Sequence, residues 1–189
     1  MTSNLLPDPA PGFDQPIAVL KHCHDRIRKQ LATLDKLPAH LAAHGADDQA
    51  RQAAAAVLKY FDKAAHLHHE DEENDLLPML QATASGEDAA LLARLGPQIL
   101  AEHSQMDALW QALHEELSAV AAGSGATLSE PLARRFADMY TRHMEVEEGN
   151  IAPMAKRLGL RTLTVFGGVR PNPQVQGLRN GVDIVIACP

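Results

Sequence analysis

The sequence is short of cysteine, aromatic side chains and long apolar runs, and each shortage excludes something. Its two cysteines, Cys23 and Cys188, make neither a disulfide framework nor a CxxC ligand pair. Aromatics are 4% of the chain while apolar residues reach 46%, with alanine and leucine foremost. That balance favours helices packed through aliphatic side chains over a β-sandwich, which draws on Val, Ile, Thr and Tyr. No apolar stretch approaches the roughly 20 residues of a membrane span, so no membrane partner is expected. Positive charge is in deficit, with a formal net charge of −7, which argues against a phosphate-binding surface for nucleic acid. The start, Met1 to Gly12, has no basic region followed by an apolar stretch, so no secretory signal is read and a cytoplasmic location is expected.

Histidine is the surplus, with ten in 189 residues, several beside acidic residues. Residues 1–14 are proline-rich and read as an irregular arm. Helical periodicity then begins, with Pro16 suited to a first turn and Asp14 to a cap. Ile17, Leu20, His24, Ile27, Leu31 and Leu34 follow at spacings of three and four, and Pro38 is expected to end or kink this helix. HGADD (44–48) reads as a turn, after which Val57, Phe61, His68, Glu72 and Leu76 share one face. After ATASGED (82–88), Gly96-Pro97 is expected to interrupt a short helical turn before a third main helix carrying Ile99, His103, Met106, Trp110 and Leu113. AAGSGAT (121–127) links to a fourth, opened by Ser129 and Pro131, with Leu132, Phe136, His143, Glu147 and Ile151 in line. Four amphipathic helices with short links predict an all-α, antiparallel up-down four-helix bundle over residues 15–158.

Two segments repeat. HHEDEENDLLPM (68–79) and HMEVEEGNIAPM (143–154) share His-x3-Glu-Glu-x2-aliphatic-x-Pro-Met, and Leu20-x3-His24-x2-Ile27 aligns with Ile99-x3-His103-x2-Met106. The chain therefore reads as two copies of a helical hairpin, each supplying a lone His and a His-x3-Glu pair. Residues four apart lie about 6 Å apart along a helix and on nearly the same side. His68 with Glu72, and His143 with Glu147, can each reach one centre. These residues continue the apolar stripes, where an ionised side chain costs several kcal/mol unless paired or bound to a cation.

The levels agree as well. In an antiparallel hairpin, residues equidistant from the turn lie at one height. The midpoint of His24 and His68 is position 46, that of His68 and His103 falls between Ser85 and Gly86, and that of His103 and His143 is Gly123. All are turn positions, so the four histidines are expected in one layer. Four imidazoles and two carboxylates suit a pair of first-row transition ions, whereas oxygen-only sites suit Mg or Ca. The candidate metal ligands are His24, His68, Glu72, His103, His143 and Glu147, with both glutamates bridging. Two non-haem iron ions are expected ahead of manganese or zinc, and binding is expected to fail in acid as the imidazoles protonate.

On these residues the chain resembles the hemerythrin-like, or HHE, cation-binding domains, which carry a lone His on helices one and three and His-x3-Glu-Glu near the ends of helices two and four. Oxygen-carrying hemerythrins have a further His four residues after the third-helix His, where this chain has Asp107. The set of four His and two Glu looks more like bacterial di-iron proteins implicated in iron–sulfur cluster repair, although the cysteine-containing N-terminal segment usual in those is missing. The resemblance implies a protein that binds or senses O2 or NO, or stores iron, with an unknown redox partner. The alternative it leaves open is an oxidoreductase acting on NO or peroxide, or an iron donor in cluster repair. The binding module is the expectation favoured.

Other histidines read more plainly. His66 and His69 sit about 200° and 100° around the helix from His68, so they are taken as solvated or as supports outside the ligand set. His22 and Cys23 flank His24 off its face, and His40, His44 and His114 read as surface residues. Tyr140 reads as a packing residue. Glu73 and Glu148 stand equally as acceptors for His N–H groups or as solvated acids. Residues 159–189 differ in kind, with β-branched runs, glycines and prolines that suggest strand–loop–helix–strand. VFGGVRPNPQVQGLRNGVDIVIACP resembles an internal piece of a DEAD-box RNA helicase, but no GxxxxGK[ST] loop accompanies it, so neither ATP binding nor unwinding is expected. The tail is expected to be an orphan, disordered or loosely attached.

Overall fold

The computed structural model describes residues 16–160, 162–166 and 184–188, with the backbone alone at 16–20 and in the last two stretches. The expected N-terminal arm, the Asp14 cap and the helix anticipated inside the tail lie outside these residues. Four rods make up the bundle. The first is α1 (Pro16–His44). The second is continuous through α2 (Asp48–Tyr60), α3 (His66–Asp71) and α4 (Leu77–Thr83), joined by π-helical turns at Phe61–Ala65 and Glu72–Leu76. The third is α5 (Gly86–Ala122). The fourth runs through α6 (Glu130–Val146), a π-helical turn at Glu147–Ile151, and α7 (Ala152–Arg157). α1 packs on α2, α2 on α5, α5 on α6, and α6 closes back on α1. The result is the all-α up-down bundle that the four apolar stripes predict.

Local chemistry sets the rod ends. Asp47 caps the second rod, its carboxylate accepting the Ala50 N–H at 2.8 Å, and Ser129 caps the fourth, its hydroxyl oxygen accepting from Leu132. Gly123, at φ +73°, ends α5 in the left-handed conformation that glycine adopts without strain. At two prolines the rods outrun the expected stops. Pro38 does not end α1, which continues through buried Leu41 to His44. Gly96-Pro97 does not interrupt the third rod, which is unbroken from Gly86. In both places the apolar stripe runs on past the proline (Leu37 and Leu41; Leu95 and Ile99), and its burial outweighs a local penalty of about 3 kcal/mol.

The core is two apolar slabs with a polar layer between them. One slab fills the end nearest the Gly45 and Gly123 turns and includes Ile27, Leu34, Val57, Phe61, Trp110, Leu113 and Phe136. The other fills the opposite end with Leu76, Leu80, Leu92, Ile99, Ile151 and Met154. Two π turns fall at matching places in the repeated segments, each just ahead of a proline, Pro78 or Pro153. A widened turn there accommodates a ring that cannot donate and that crowds the preceding carbonyl. Beyond the bundle, β1 (Thr162–Phe166) and β2 (Ile184–Cys188) pair in parallel, Thr162 opposite Ile184 and Phe166 opposite Cys188. They run beside α1 and α3, so the two β-branched segments find both each other and the bundle.

Candidate metal centre

All six predicted side chains meet in the polar layer, each 3% exposed or less. His24 comes from α1, His68 from α3, Glu72 from the π turn that follows it, His103 from α5, His143 from α6 and Glu147 from the matching π turn. The arrangement has an internal two-fold logic. Glu72 directs Oε1 to His68 Nε2 at 3.2 Å and Oε2 to His103 Nε2 at 3.3 Å. Glu147 directs Oε2 to His24 Nε2 at 3.1 Å and Oε1 to His143 Nε2 at 3.4 Å. Each carboxylate therefore lends one oxygen to the His24–His68 side and the other to the His103–His143 side.

A second set of carboxylates holds the rings from behind. His24 Nδ1 donates to Glu148 at 2.8 Å, and Arg28 holds the same oxygen at 2.9 Å. His103 Nδ1 donates to Glu73 at 2.7 Å, and His143 Nδ1 to Glu102 at 2.9 Å. A ring that donates from Nδ1 to a carboxylate turns the lone pair of Nε2 inward, the usual way of orienting a metal-binding histidine. Of the two readings open for Glu73 and Glu148, the acceptor role is the observed one. Glu102 was not singled out from the sequence; its place beside His103 in the chain puts it across from His143, and only that adjacency could have flagged it.

Of the two readings open for His69, solvated or supporting, the solvated one fails: it is buried, with its ring flat against His103 at 4.0 Å and 5° between planes. Its position 100° around from His68 points toward α5 rather than toward water, because the second rod is flanked on both sides. The remaining histidines follow expectation more closely. His66 is exposed and pairs with Glu70, while His40 and His114 are half-buried against Asp47 and Asp62. Tyr140 is buried among Phe61, Phe136 and His69, as packing requires. Cys23 is buried and disulfide-bonded, not a free thiol.

Electrostatics of the layer are strained among its own members. Burial raises the Glu72 carboxyl well above the ordinary range, and the charge at Glu147 raises it further. Burial acts the same way on Glu147 but is outweighed by His143 and His24, which hold that carboxyl well below. Burial lowers His24 and His143, yet Glu147 and their backing carboxylates win, and both imidazoles are raised. His68, which has no backing carboxylate, is pushed down to about 3 by burial and by the charge at His24. Seven buried polar atoms here, including both oxygens of Glu72, His24 Nε2 and His68 Nδ1, have no hydrogen-bond partner. Each such group costs about 1–3 kcal/mol in a core, so their concentration at one point fits a cation held by all of them. Two overlapping four-residue sets have the reach to hold one: His24, His68, Glu72 and Glu147, and Glu72, His103, His143 and Glu147, with ligand atoms within 4.8 Å of one another. His103 Nε2 and His143 Nε2 stand 3.2 Å apart, close to the separation of about 3.0 Å for two nitrogens at right angles on one ion.

Comparison with known proteins agrees with this chemistry. The family model described as hemerythrin HHE cation binding domain matches residues 15–155. An uncharacterized protein of Haemophilus influenzae is 29% identical over 136 residues, covering 72% of this chain and 76% of its own length.

Proposed function

Because this chain belongs to the hemerythrin HHE cation-binding family, we propose that its buried layer holds two non-haem iron ions and takes O2, NO or a peroxide-level oxidant as a small ligand. His24 and His68 serve one ion, His103 and His143 the other, and Glu72 and Glu147 bridge both. The observation that carries this reading is the division of each carboxylate's two oxygens between opposite histidine pairs. Iron stands ahead of manganese or zinc on the family's account, since mixed imidazole and carboxylate donors suit all of them. Bound there, an iron pair supplies redox-active Lewis-acid chemistry at whatever positions the protein leaves open. The side chains keep neutral nitrogens turned inward, and the two slabs above and below keep bulk water out. No helix among the described residues is long and apolar enough to cross a membrane. A cytoplasmic location is part of the proposal, and the disulfide at Cys23 is the observation against it, because reducing compartments keep thiols reduced.

Elemental analysis of purified and iron-reconstituted protein is the test, with about two irons per chain expected from the two ligand sets. Glu72→Ala combined with Glu147→Ala should abolish tight binding of the pair. Retention of both irons in that double variant would overturn the bridging roles. Catalytic consumption of NO or peroxide by the diferrous protein with a reductant would replace the binding module by an enzyme.

A further inference from the structure

His69 occupies a position that the internal repeat marks as anomalous. In the aligned segments His68 matches His143 and Glu72 matches Glu147, while His69 falls opposite Met144. Met144 is completely buried, so the fold is content with an apolar side chain at this place. His69 is buried almost as deeply, and neither of its ring nitrogens has a hydrogen-bond partner. If the position only needed filling, leucine or methionine would serve without leaving two polar atoms unsatisfied.

The surroundings show what those nitrogens could reach. A ring nitrogen of His69 lies within 4.8 Å of the ligand atoms of both His103 and His143. Its ring centroid is 5.9 Å from that of His143, and Tyr140 lies behind it at 5.7 Å, 20° from parallel. Among the described residues no third imidazole joins His24 and His68 as His69 joins His103 and His143; Met144 has the equivalent place in the other half. We propose that His69 is a seventh metal ligand, the third imidazole of the ion held by His103 and His143. This rests on the paired-ion reading above. The two ions are then unequal: three imidazoles for one, two for the other.

Cobalt(II) alone serves as the probe. Proton NMR of the dicobalt protein should show hyperfine-shifted ring protons from five imidazoles, falling to four in His69→Leu. One of the two steps in a cobalt titration should weaken by about ten-fold or more in that variant, the scale of losing a group that supports a metal. His69→Gln, which keeps a polar side chain, should show the same loss, with circular dichroism confirming intact helices. If wild type binds two ions through four imidazoles and both variants match it in affinity, the His69 assignment falls and the paired-ion reading stands. If wild type binds no pair of ions, both fall together.

Discussion

His24, His103 and His143 each lean on a carboxylate, whereas His68 leans on nothing through Nδ1. The two halves of the chain explain the difference. Glu73 and Glu148 occupy equivalent places in the repeat, and each backs the lone histidine of the opposite hairpin. Glu102, directly before His103, backs His143; its counterpart directly before His24 is Cys23, which offers no carboxylate to His68. A single residue in the repeat thus makes one Glu pairing strong and the other weak. Glu147 faces two histidines that are both backed, and it stays ionised. Glu72 faces one backed and one unbacked histidine, and its carboxyl is raised by burial and by the charge at Glu147. Near-symmetry in ligand placement coexists with clear asymmetry in charge, and the outer residues decide it.

The largest test of that asymmetry is a pair of substitutions in chelator-treated protein. Glu147→Gln removes the charge that His24 and His143 depend on and should destabilise the bundle by about 3 kcal/mol, as loss of one partner of a buried ion pair does. Glu72→Gln replaces a carboxyl whose neutral form burial favours, and should cost less than about 1 kcal/mol. Urea denaturation reads both, and equal costs would mean that the two glutamates share the charge evenly. A smaller effect comes from the backing shell. Glu102→Gln replaces the carboxylate behind His143 with a neutral amide, and metal affinity should drop by about ten-fold in a competition titration. Glu145→Gln, altering an exposed acid on the same helix, should leave affinity unchanged.

The convergence of these six side chains was legible from sequence because it violates a strong rule: polar and charged residues sat on apolar stripes, at levels that the turn positions made equal. What escaped had weaker signals. His69 lies 100° from the stripe, and periodicity alone left it open between solvent and a supporting place; a rod flanked on both sides buries a wider arc and decides for the second. The proline breaks at Pro38 and Pro97 were expected from local chemistry, yet the stripe on either side of each carries enough buried aliphatic surface to keep the rod whole. The π turns add a residue to a helical turn without changing the amino-acid pattern, and Pro78 and Pro153 were the only marks of two of them. The strand segments of the tail were legible by their β-branched runs, but their docking beside α1 and α3 was not, since a lone strand pair gives no sign of what it packs against.

The smallest expected effect is a pH optimum, and it separates the histidines into two classes. His68 and His69 are held neutral, with folded-state values below the ordinary 6.5, so the unfolded chain binds more protons than the folded one as pH falls below 6.5. Stability therefore declines toward acid. Glu72 opposes this, because its raised value makes the folded state the better proton binder above 4.5, but one group works against two. Below 4.5, Glu102 and Glu148 join the decline, since their lowered values make protonation favour unfolding. His24 and His143 act on the other side. Their raised values mean that the stability they contribute is complete below 6.5 and is lost as pH climbs through their folded-state values. The chelated protein should thus have its highest melting temperature near pH 6.5, with a shallow fall on either side. Metal-loaded protein should part from it above that point, because deprotonation of the same imidazoles strengthens ligation. Melting curves from pH 4.5 to 8.5, with and without chelator, check both limbs; a chelated protein whose stability keeps rising through pH 8 would show that His24 and His143 carry no extra proton, and the charge asymmetry between the two halves would be gone.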